Sequence, residues 1–313
     1  TRPMEKEERK ACFSIVMAAA LWGCMGVFLR LLTGAGLPSN AGVALRGCLS
    51  ALLYGVYLAI KEPKALKIDP RHWYYFFGSG VCSLMLSGMC YFHTIQASSM
   101  AVAAVLLYTS PAFVILLSAL CFHEKITLRK LGALVVTFAG CVLVTGLFPL
   151  GQQSVAPGVI LWGLCAGFTY ALYPIFNKLA LRDYGVNTLT FYTCLFMGLS
   201  ALPFSGLVQH LDRLADPKAL VGAVGISVFC CIAPNLLYNR GLRHTETGRA
   251  AILSTAEPMV AALLGVLAQD PRPTYQHDPD RVYGLAFGGW EVKFTVAEDV
   301  LTVREIFHRR QEP

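Results

Sequence analysis

Charged residues are scarce in this sequence. Asp, Glu, Lys and Arg together make up 14% of its 313 residues, whereas about a quarter of an ordinary soluble domain is charged. Hydrophobic residues make up 55%, and the mean hydropathy is +0.55. So little charge does not fit a water-soluble domain of this size, and the composition therefore predicts a membrane protein.

Most of the sequence before residue 269 consists of apolar runs separated by short polar segments. The apolar residues fall in nine runs, each near the ~20 residues that a helix needs to cross a bilayer. The runs cover residues 12–32, 40–60, 73–95, 99–122, 128–148, 157–180, 187–208, 219–239 and 249–268. Backbone groups in lipid must be hydrogen-bonded within the segment, so these runs predict helices rather than loops. The predicted fold class is an all-α polytopic membrane protein with nine spans.

The sequence has few of the groups that catalysis or metal binding inside a membrane requires. The spans contain neither a pair of carboxylates nor a cluster of histidines, and His93 and His123 fall at opposite membrane faces. All eleven cysteines lie in predicted spans, where cysteine behaves as a small apolar residue. We therefore expect no catalytic residue, no metal and no cofactor, and an intramembrane enzyme is the disfavoured alternative.

Acidic residues are outnumbered, and the net charge of +7 raises the question of a nucleic-acid partner. With the N-terminus inside, however, 16 of the 26 basic residues fall on the alternate, inner segments, while the opposite loops hold Arg213 and Lys218, with Arg30 near a helix end. This asymmetry follows the positive-inside rule for short loops. We predict a cytoplasmic N-terminus over residues 1–10, a location in the plasma (inner) membrane, and no nucleic-acid partner.

An internal repeat divides the nine spans. The first and sixth runs open on LWGCMGVF (21–28) and LWGLCAGF (161–168), and YFHTIQASSMAVAAVLLYTSP (91–111) matches YNRGLRHTETGRAAILSTAEP (238–258) at an offset of 147 residues. A five-helix unit therefore recurs, and because five is odd the second copy inserts upside down. Inverted repeats of this kind are typical of secondary transporters, whose substrate site lies near the repeat interface.

The stretch YTSPAFVILLSALCFHEKITLRKLGALVVTFAGCVLVTG, residues 108–146, resembles the hallmark region of the EamA-like drug/metabolite transporter superfamily. That region has a proline-bearing fourth helix, an acidic residue that closes it, and a basic-flanked fifth helix with glycines. The corresponding residues are Pro111, Glu124, Lys125, Gly132 and Gly140. Trp22-Gly23 and STAEPMVAALLG in the ninth run are also similar to the family.

The resemblance covers about residues 4–268. It implies a first repeat of five transmembrane helices at 11–148 and a second repeat at 156–268, which holds four. It also implies the transport of small metabolites, often amino acids, or of drugs across the inner membrane.

The tenth helix of that family is missing. At the offset of 147 residues, the position equivalent to Glu124 is Pro271, and residues 269–313 hold eight acidic and six basic residues. The longest uncharged run there, VYGLAFGGW at 282–290, would make a helix of about 14 Å, which is too short for ~30 Å of hydrocarbon.

We therefore predict a non-membrane tail over 269–313. It is either an added segment with a short amphipathic helix at 295–310 or a frameshifted, truncated or rearranged C-terminus. The abrupt loss of the repeat favours the second origin.

An ionisable residue inside a membrane costs free energy and is a functional candidate by default. Glu257, about nine residues into the ninth run and followed by Pro258, is either a coupling or substrate-contacting carboxylate or a packing hydrogen bond. Arg46, six residues into the second run, either binds a carboxylate or phosphate of the substrate or extends to the interface. Aromatic and amide side chains within the runs complete the predicted substrate-binding set: Trp22, Tyr91, Tyr108, Trp162, Tyr173, Asn235 and Tyr238, with Tyr170 and Asn177 as further candidates.

The predicted function is a secondary transporter that moves small metabolites, such as amino acids, across the inner membrane by alternating access. The expected partners are the metabolite and the lipid bilayer, with protons as a candidate coupling ion and a homodimer as a candidate assembly. Two alternatives stay open beside the enzyme: efflux of lipophilic cationic drugs, and a truncated or frameshifted copy without activity.

Overall fold

The computed structural model describes residues 2–38, 40–98, 100–144, 156–267, 282–287, 290–297 and 300–308. The chain divides into two compact units, residues 1–259 and 260–313. The helices are α1 (Arg2–Gly23), α2 (Met25–Gly34), α3 (Ala41–Lys61), α4 (Trp73–Phe77), α5 (Leu86–Ala97), α6 (Met100–Leu107), α7 (Ser110–Phe122), α8 (Leu128–Val144), α9 (Pro157–Asp183), α10 (Val186–Ser205), α11 (Pro217–Ser227), α12 (Ala233–Arg243), α13 (Thr247–Ser254) and α14 (Glu257–Leu267). The strands are β1 (Tyr283–Phe287), β2 (Trp290–Ala297) and β3 (Val300–His308).

Seven helical stretches of the described residues are long and apolar enough to cross a membrane. They are Glu7–Gly34, Ala41–Lys61, Pro70–Ala97, Val102–Phe122, Pro157–Asp183, Val186–Ser205 and Pro217–Arg243. Each is at least 18 residues long and has an apolar stretch with at most two charged residues. The prediction of an all-α polytopic membrane protein is confirmed.

Two of the nine predicted spans are not among these seven. In the run 128–148, α8 accounts for 17 residues, and residues 145–148 lie outside the described part of the chain. The run 249–268 is divided into α13 and α14 by a turn at Thr255 and Ala256. The count of nine spans therefore stays a prediction.

The break between α13 and α14 has a counterpart in the first half of the chain. There, α6 and α7 are separated by a turn at Tyr108 and Thr109. α6 and α13 begin 147 residues apart and also end 147 residues apart, and α7 and α14 begin at the same offset. The repeat found in the sequence thus recurs in the helix boundaries, while the opposite orientation of its two copies stays a prediction.

Proline chemistry explains where the second helix of each pair begins. Pro111 and Pro258 each occupy the second position of their helices, α7 and α14. A proline in the first turn loses no helical hydrogen bond because its N–H would be unpaired there in any case. The same residue in a continuous helix would remove one bond and clash with the preceding turn.

Close backbone contact holds α3 against α10. A Cβ atom added to Gly47 would lie 2.5 Å from the Gly198 backbone, and one added to Gly198 would lie 2.4 Å from the backbone nitrogen of Cys48. Small residues permit this approach between membrane helices, where packing rather than the hydrophobic effect drives association. Glycine is therefore required at both positions.

The C-terminal unit contains a three-stranded antiparallel sheet of order β1-β2-β3. Val292 and Phe294 of β2 pack with Tyr283 of β1 in a small core, against which Leu263 also lies. The amphipathic helix considered for 295–310 is wrong, because residues of that segment lie in β2 and β3. The segment is rich in Val, Thr and Ile, which favour strands, and residues 292–294 alternate between apolar and charged side chains as a half-buried strand does.

Candidate functional site

Three aromatic side chains from three helices meet inside the bundle. The ring of Trp22 lies 5.4 Å from that of Tyr238 and 6.4 Å from that of Tyr173, between centroids, and the two tyrosine rings are 5.7 Å apart. These separations are typical of packed aromatic pairs. All three residues line a cavity of about 20 Å³, which has room for about one water molecule.

Serine residues and the breaks in the helices border the same cavity. Ser110, the first residue of α7, and Ser254, the last residue of α13, both line it, as does Tyr170. The cavity therefore lies where each repeat-related helix pair is interrupted. Interrupted helices of this kind form the central binding sites of many transporters because they expose backbone polar groups inside the membrane.

A ladder of hydrogen bonds joins α9 to α12 beside the aromatic cluster. The Tyr173 hydroxyl donates to Asn235 Oδ1 at 2.8 Å, and one turn further on the Asn177 amide donates to Asn239 Oδ1, also at 2.8 Å. The Ser79 hydroxyl donates to Asn177 Oδ1 at 2.6 Å. Each of these amides is buried, so the pairs satisfy polar groups that lipid could not.

Arg46 on α3 is a partly buried cation with weak partners. Its Nη1 contacts the sulfur of Met25 at 2.9 Å, its Nη2 contacts the sulfur of Met197 at 3.6 Å, and its Nε is buried without a hydrogen-bond acceptor. Thioether sulfur is a weak acceptor. The guanidinium therefore has unused capacity to bind an anion.

Glu257 is the first residue of α14 and lies directly after the break. A carboxylate at a helix N-terminus is stabilised by the helix dipole. Glu257 lies close enough to Arg46 for their charges to interact. It is also within electrostatic range of Tyr91 and Tyr170. Among the described residues, the ion pairs within 4.0 Å do not include one between Arg46 and Glu257.

A second, larger cavity of about 380 Å³ lies nearer the start of α3. Its walls are mostly apolar, and Trp162 and His93 face each other there with ring centroids 4.7 Å apart. Val43 and Ala201 also line it, and they lie about one helical turn from Arg46 and Met197 respectively. The volume falls in the range of small-molecule sites.

The predicted site residues other than Tyr108 lie in three places, and their roles stay predictions. Trp22, Tyr173, Asn235 and Tyr238 come together around the small cavity, Arg46, Tyr91 and Glu257 share one electrostatic field, and Trp162 lines the larger cavity. Tyr108, which is partly buried, lies in the turn between α6 and α7.

Sequence reasoning missed several members of the polar ladder. Ser79, Thr193 and Asn239 take part in it. The four-residue spacing of Asn235 and Asn239 on α12, matched by Tyr173 and Asn177 on α9, was the signal that could have found Asn239. Within the described ranges, no three His, Cys, Asp or Glu residues are grouped as a metal site would need.

Comparison with known proteins gives two matches of different extent. Residues 9–146 and 158–276 match the EamA-like transporter family. Residues 245–309 match the TrmO C-terminal domain. Residues 245–276 therefore belong to both matches. The second match includes all three strands of the C-terminal sheet.

Several transporters are similar to this chain over most of their length, and one enzyme is similar over a short stretch. An uncharacterized transporter of Archaeoglobus fulgidus is 28% identical over 252 residues, 80% of this chain and 85% of that protein. The uncharacterized inner membrane transporter YicL of Salmonella typhimurium is 24% identical over 270 residues, 83% of this chain and 87% of that protein. A tRNA (adenine(37)-N6)-methyltransferase of Eikenella corrodens is 42% identical over 40 residues, which are 13% of this chain and 23% of that enzyme.

One solved crystal structure, of a protein without a functional name, has a TM-score of 0.68 and 17% identity, and the match covers 84% of this chain and 90% of that one. At this identity the likeness supports the fold alone. The family match extends over most of the chain and coincides with the seven membrane helices and the broken helix pairs. The chain belongs to the EamA-like transporter family, and it is a membrane transporter that spans the bilayer several times.

Proposed function

We propose that the chain is a secondary permease that moves a small metabolite across the inner membrane by alternating access. The observation that carries the proposal is the pair of broken helices, α6–α7 and α13–α14, which meet at one internal cavity with Glu257 at a helix start. In alternating access, two repeats move against each other around such a site. A secondary transporter needs no catalytic residue, so we propose that the chain is not an enzyme.

Arg46 and Glu257 give this site its proposed chemistry. Arg46, held by thioether sulfurs, binds a carboxylate or phosphate group of the substrate. Glu257 binds a cationic group or a coupling proton. The aromatic rings of Trp22, Tyr173 and Tyr238 pack against the body of the substrate. The resemblance to the family makes amino acids the first substrates to try, with protons as the coupling ion.

Transport assays with a Glu257 variant test the coupling role. Inverted membrane vesicles containing the chain are supplied with a panel of radiolabelled metabolites at two pH values. We expect Glu257→Gln to abolish the pH dependence of uptake because the amide cannot exchange a proton. Arg30→Gln, an exposed cation near the end of α2, is the matched control and retains the dependence. Unchanged pH dependence in Glu257→Gln would remove this residue from the mechanism.

The proposed orientation has the N-terminus in the cytoplasm. The basic residues on alternate loops support it, and with nine spans the C-terminus lies outside. An epitope tag after Pro313 that antibodies reach only from the cytoplasm would contradict this topology. A homodimer is proposed as the assembly, and the mass of the detergent-purified chain in light scattering tests it.

A copy without transport activity is the second candidate. The observation that favours it is the sheet with its match to the TrmO C-terminal domain, which occupies the region where the family has its tenth helix. We propose that residues 269–313 were joined to the transporter by a rearrangement of the gene. Sequencing of the genomic region that encodes 265–275 tests this origin, and transport by the full chain decides against the inactive copy.

Efflux of lipophilic cations is the remaining alternative. The larger cavity, with its apolar walls and with Trp162 beside His93, favours it, since aromatic faces attract cations. Competition tests this alternative. If a lipophilic cation inhibits uptake of the metabolite and is itself carried, cation efflux is favoured over metabolite transport.

A further inference from the structure

The carboxylate of Glu124 joins the two halves of the chain. Glu124 lies two residues after the end of α7, and its Oε1 accepts the backbone N–H of Thr247 at 2.7 Å while its Oε2 accepts that of Gly248 at 3.2 Å. Thr247 and Gly248 are the first two residues of α13. A side chain of the first half therefore caps a helix of the second half, where the first N–H groups have no partner within the helix.

A lysine strengthens this contact. Lys130 Nζ lies 3.6 Å from Glu124 Oε2 and 2.9 Å from Glu246 Oε2, one residue before α13. The side chains of Glu124 and Lys130 are 10% and 12% exposed. Charge-assisted hydrogen bonds that are shielded from water are stronger than those on the surface.

Other contacts hold the end of α12 and the loop between α12 and α13, residues 244–246. Lys178 Nζ donates to the carbonyl oxygens of Leu242 at 2.5 Å and of Thr245 at 2.7 Å. Arg249 of α13 forms an ion pair with Glu8 of α1, and both side chains are about half exposed, so this pair contributes little. The start of α13 is thus fixed mainly by partly buried contacts, of which the one from Glu124 links the two repeats.

The larger cavity lies at the opposite end of the bundle. Trp162, near the start of α9, lines that cavity, whereas Arg182, near the end of α9, lies 5.4 Å from the ring of Phe122, the last residue of α7. The 20 residues from Trp162 to Arg182 correspond to about 30 Å of helix. The Glu124 contact and the larger cavity are therefore separated by about the thickness of the hydrocarbon layer.

We propose that Glu124 is the latch of a gate at the end of the bundle where α13 begins, called here the α13 end. The latch keeps this end closed while the opposite end is open to the larger cavity. The latch is defined as the contact of Glu124 with Thr247 and Gly248. The proposal rests on the alternating-access function proposed above. When the gate opens, the start of α13 separates from Glu124, and a path from that side reaches the cavity between Trp22 and Ser110.

The gate is asymmetric because only the first repeat has a carboxylate at the position of Glu124. The residue equivalent to Glu124 at the offset of 147 is Pro271, and the residues equivalent to Thr247 and Gly248 are Met100 and Ala101, at the start of α6. Pro271 has no carboxylate and cannot form the same cap at that helix. The chain consequently favours the state that is closed at the α13 end.

Labelling from each side of the membrane tests the latch without a known substrate. The eleven native cysteines of the full chain are replaced, and Ser110→Cys, in the cavity wall and on a helix other than α13, serves as the probe. A membrane-impermeant maleimide is added to one side of sealed proteoliposomes. Glu124→Ala removes the cap, Glu124→Gln keeps an acceptor without the charge, and Glu7→Gln is the matched control, because Glu7 pairs with Lys10 of its own helix.

We expect Glu124→Ala to raise the labelling rate from the α13 side about tenfold, as the loss of a charge-assisted hydrogen bond shifts a two-state equilibrium. Labelling from the opposite side does not rise, Glu124→Gln has a smaller effect, and Glu7→Gln has none. An unchanged rate in Glu124→Ala, or an equal rise from both sides as general unfolding would give, overturns the latch. A probe that reacts from neither side in any variant contradicts the transport pathway as well.

Discussion

Hydrogen bonds of single buried side chains determine which helix faces meet in this bundle. Asn177 accepts from Ser79 and donates to Asn239, so one amide connects α9 to two other segments. The sequence predicted Asn177 as a candidate but not its partners, because which faces of two helices meet depends on their rotation and not on hydropathy. Arg46 and Glu257 could be predicted individually since each interrupts an apolar run, whereas their electrostatic interaction required the three-dimensional fold.

Replacement of Asn177 is expected to destabilise the chain. Asn177→Leu leaves the Asn239 oxygen without its amide donor, at a cost of about 0.6–2 kcal/mol for a hydrogen bond between membrane helices. It also removes the bond from the Ser79 hydroxyl to Asn177, while the contact of Ser79 with Thr193 is kept. Thermal unfolding in detergent measures the loss. Asn40→Leu, an exposed asparagine at the start of α3, is the control, and equal stability of the two variants would contradict the importance of the ladder.

The Glu124 carboxyl is expected to make stability depend on pH. Burial raises its pKa, but the N–H groups of Thr247 and Gly248 and the charge of Lys130 outweigh burial, so its pKa lies below the ordinary value. A lowered pKa in the folded state means that this stabilisation is complete above the unfolded pKa, near 4.3. It is lost as the pH falls through the folded pKa.

Thermal unfolding of the wild type and of Glu124→Gln, from neutral pH down to about pH 3, measures this contribution. The charged groups facing Glu124 are Lys130 and Lys178, and Glu246 faces Lys130. We expect the stability difference between wild type and variant to shrink as the pH falls. A difference that is constant over this range would show that the Glu124 charge does not stabilise the fold.

At the scale of elements, the sequence predicted the apolar helices, whereas their interruptions were missed. Hydropathy averaged over a window of about 19 residues identifies a span, but a turn of two residues such as Thr255-Ala256 hardly changes that average. The repeat offset and the prolines at 111 and 258 were the signals for the breaks. The strands after residue 282 were missed because short segments with apolar residues at mixed spacings fit a helix and a strand equally well.

The break before α14 is expected to be necessary for transport. Pro258→Ala restores an N–H group and removes the steric barrier to a continuous helix across Thr255 and Ala256. We expect reduced uptake with little loss of thermal stability. Pro217→Ala, in the first turn of α11, is the matched control. Full transport activity in Pro258→Ala would contradict a role for the interrupted helix.

At the scale of the whole molecule, the chain combines a membrane-spanning bundle with a small sheet in a second compact unit. The seven described membrane helices lie before residue 259, whereas the sheet has its own small core of Tyr283, Val292 and Phe294. Composition and the repeat predicted that the tenth helix of the family is missing, and this stays a prediction. They did not predict the sheet, because the segment holds too few residues to reveal a fold by pattern alone.

Removal of residues 269–313 is expected to leave the membrane bundle intact. A chain that stops after Ala268 keeps the residues of the site and loses a sheet whose buried residues lie mainly among themselves. We expect its unfolding temperature in detergent to stay within about 2 °C of the full chain, equivalent to about 1 kcal/mol for a protein of this size. A large fall would show that residues 269–313 stabilise the bundle.

The central claim is that this chain carries a small metabolite through a site that contains Arg46. Its most direct test is uptake of a radiolabelled metabolite panel by liposomes that contain the purified full chain, with Arg46→Gln and Arg30→Gln compared at equal protein content. The account predicts uptake of at least one anionic or zwitterionic metabolite, lost in Arg46→Gln and retained in Arg30→Gln. Equal uptake by both variants, or no uptake by the full chain, would contradict it.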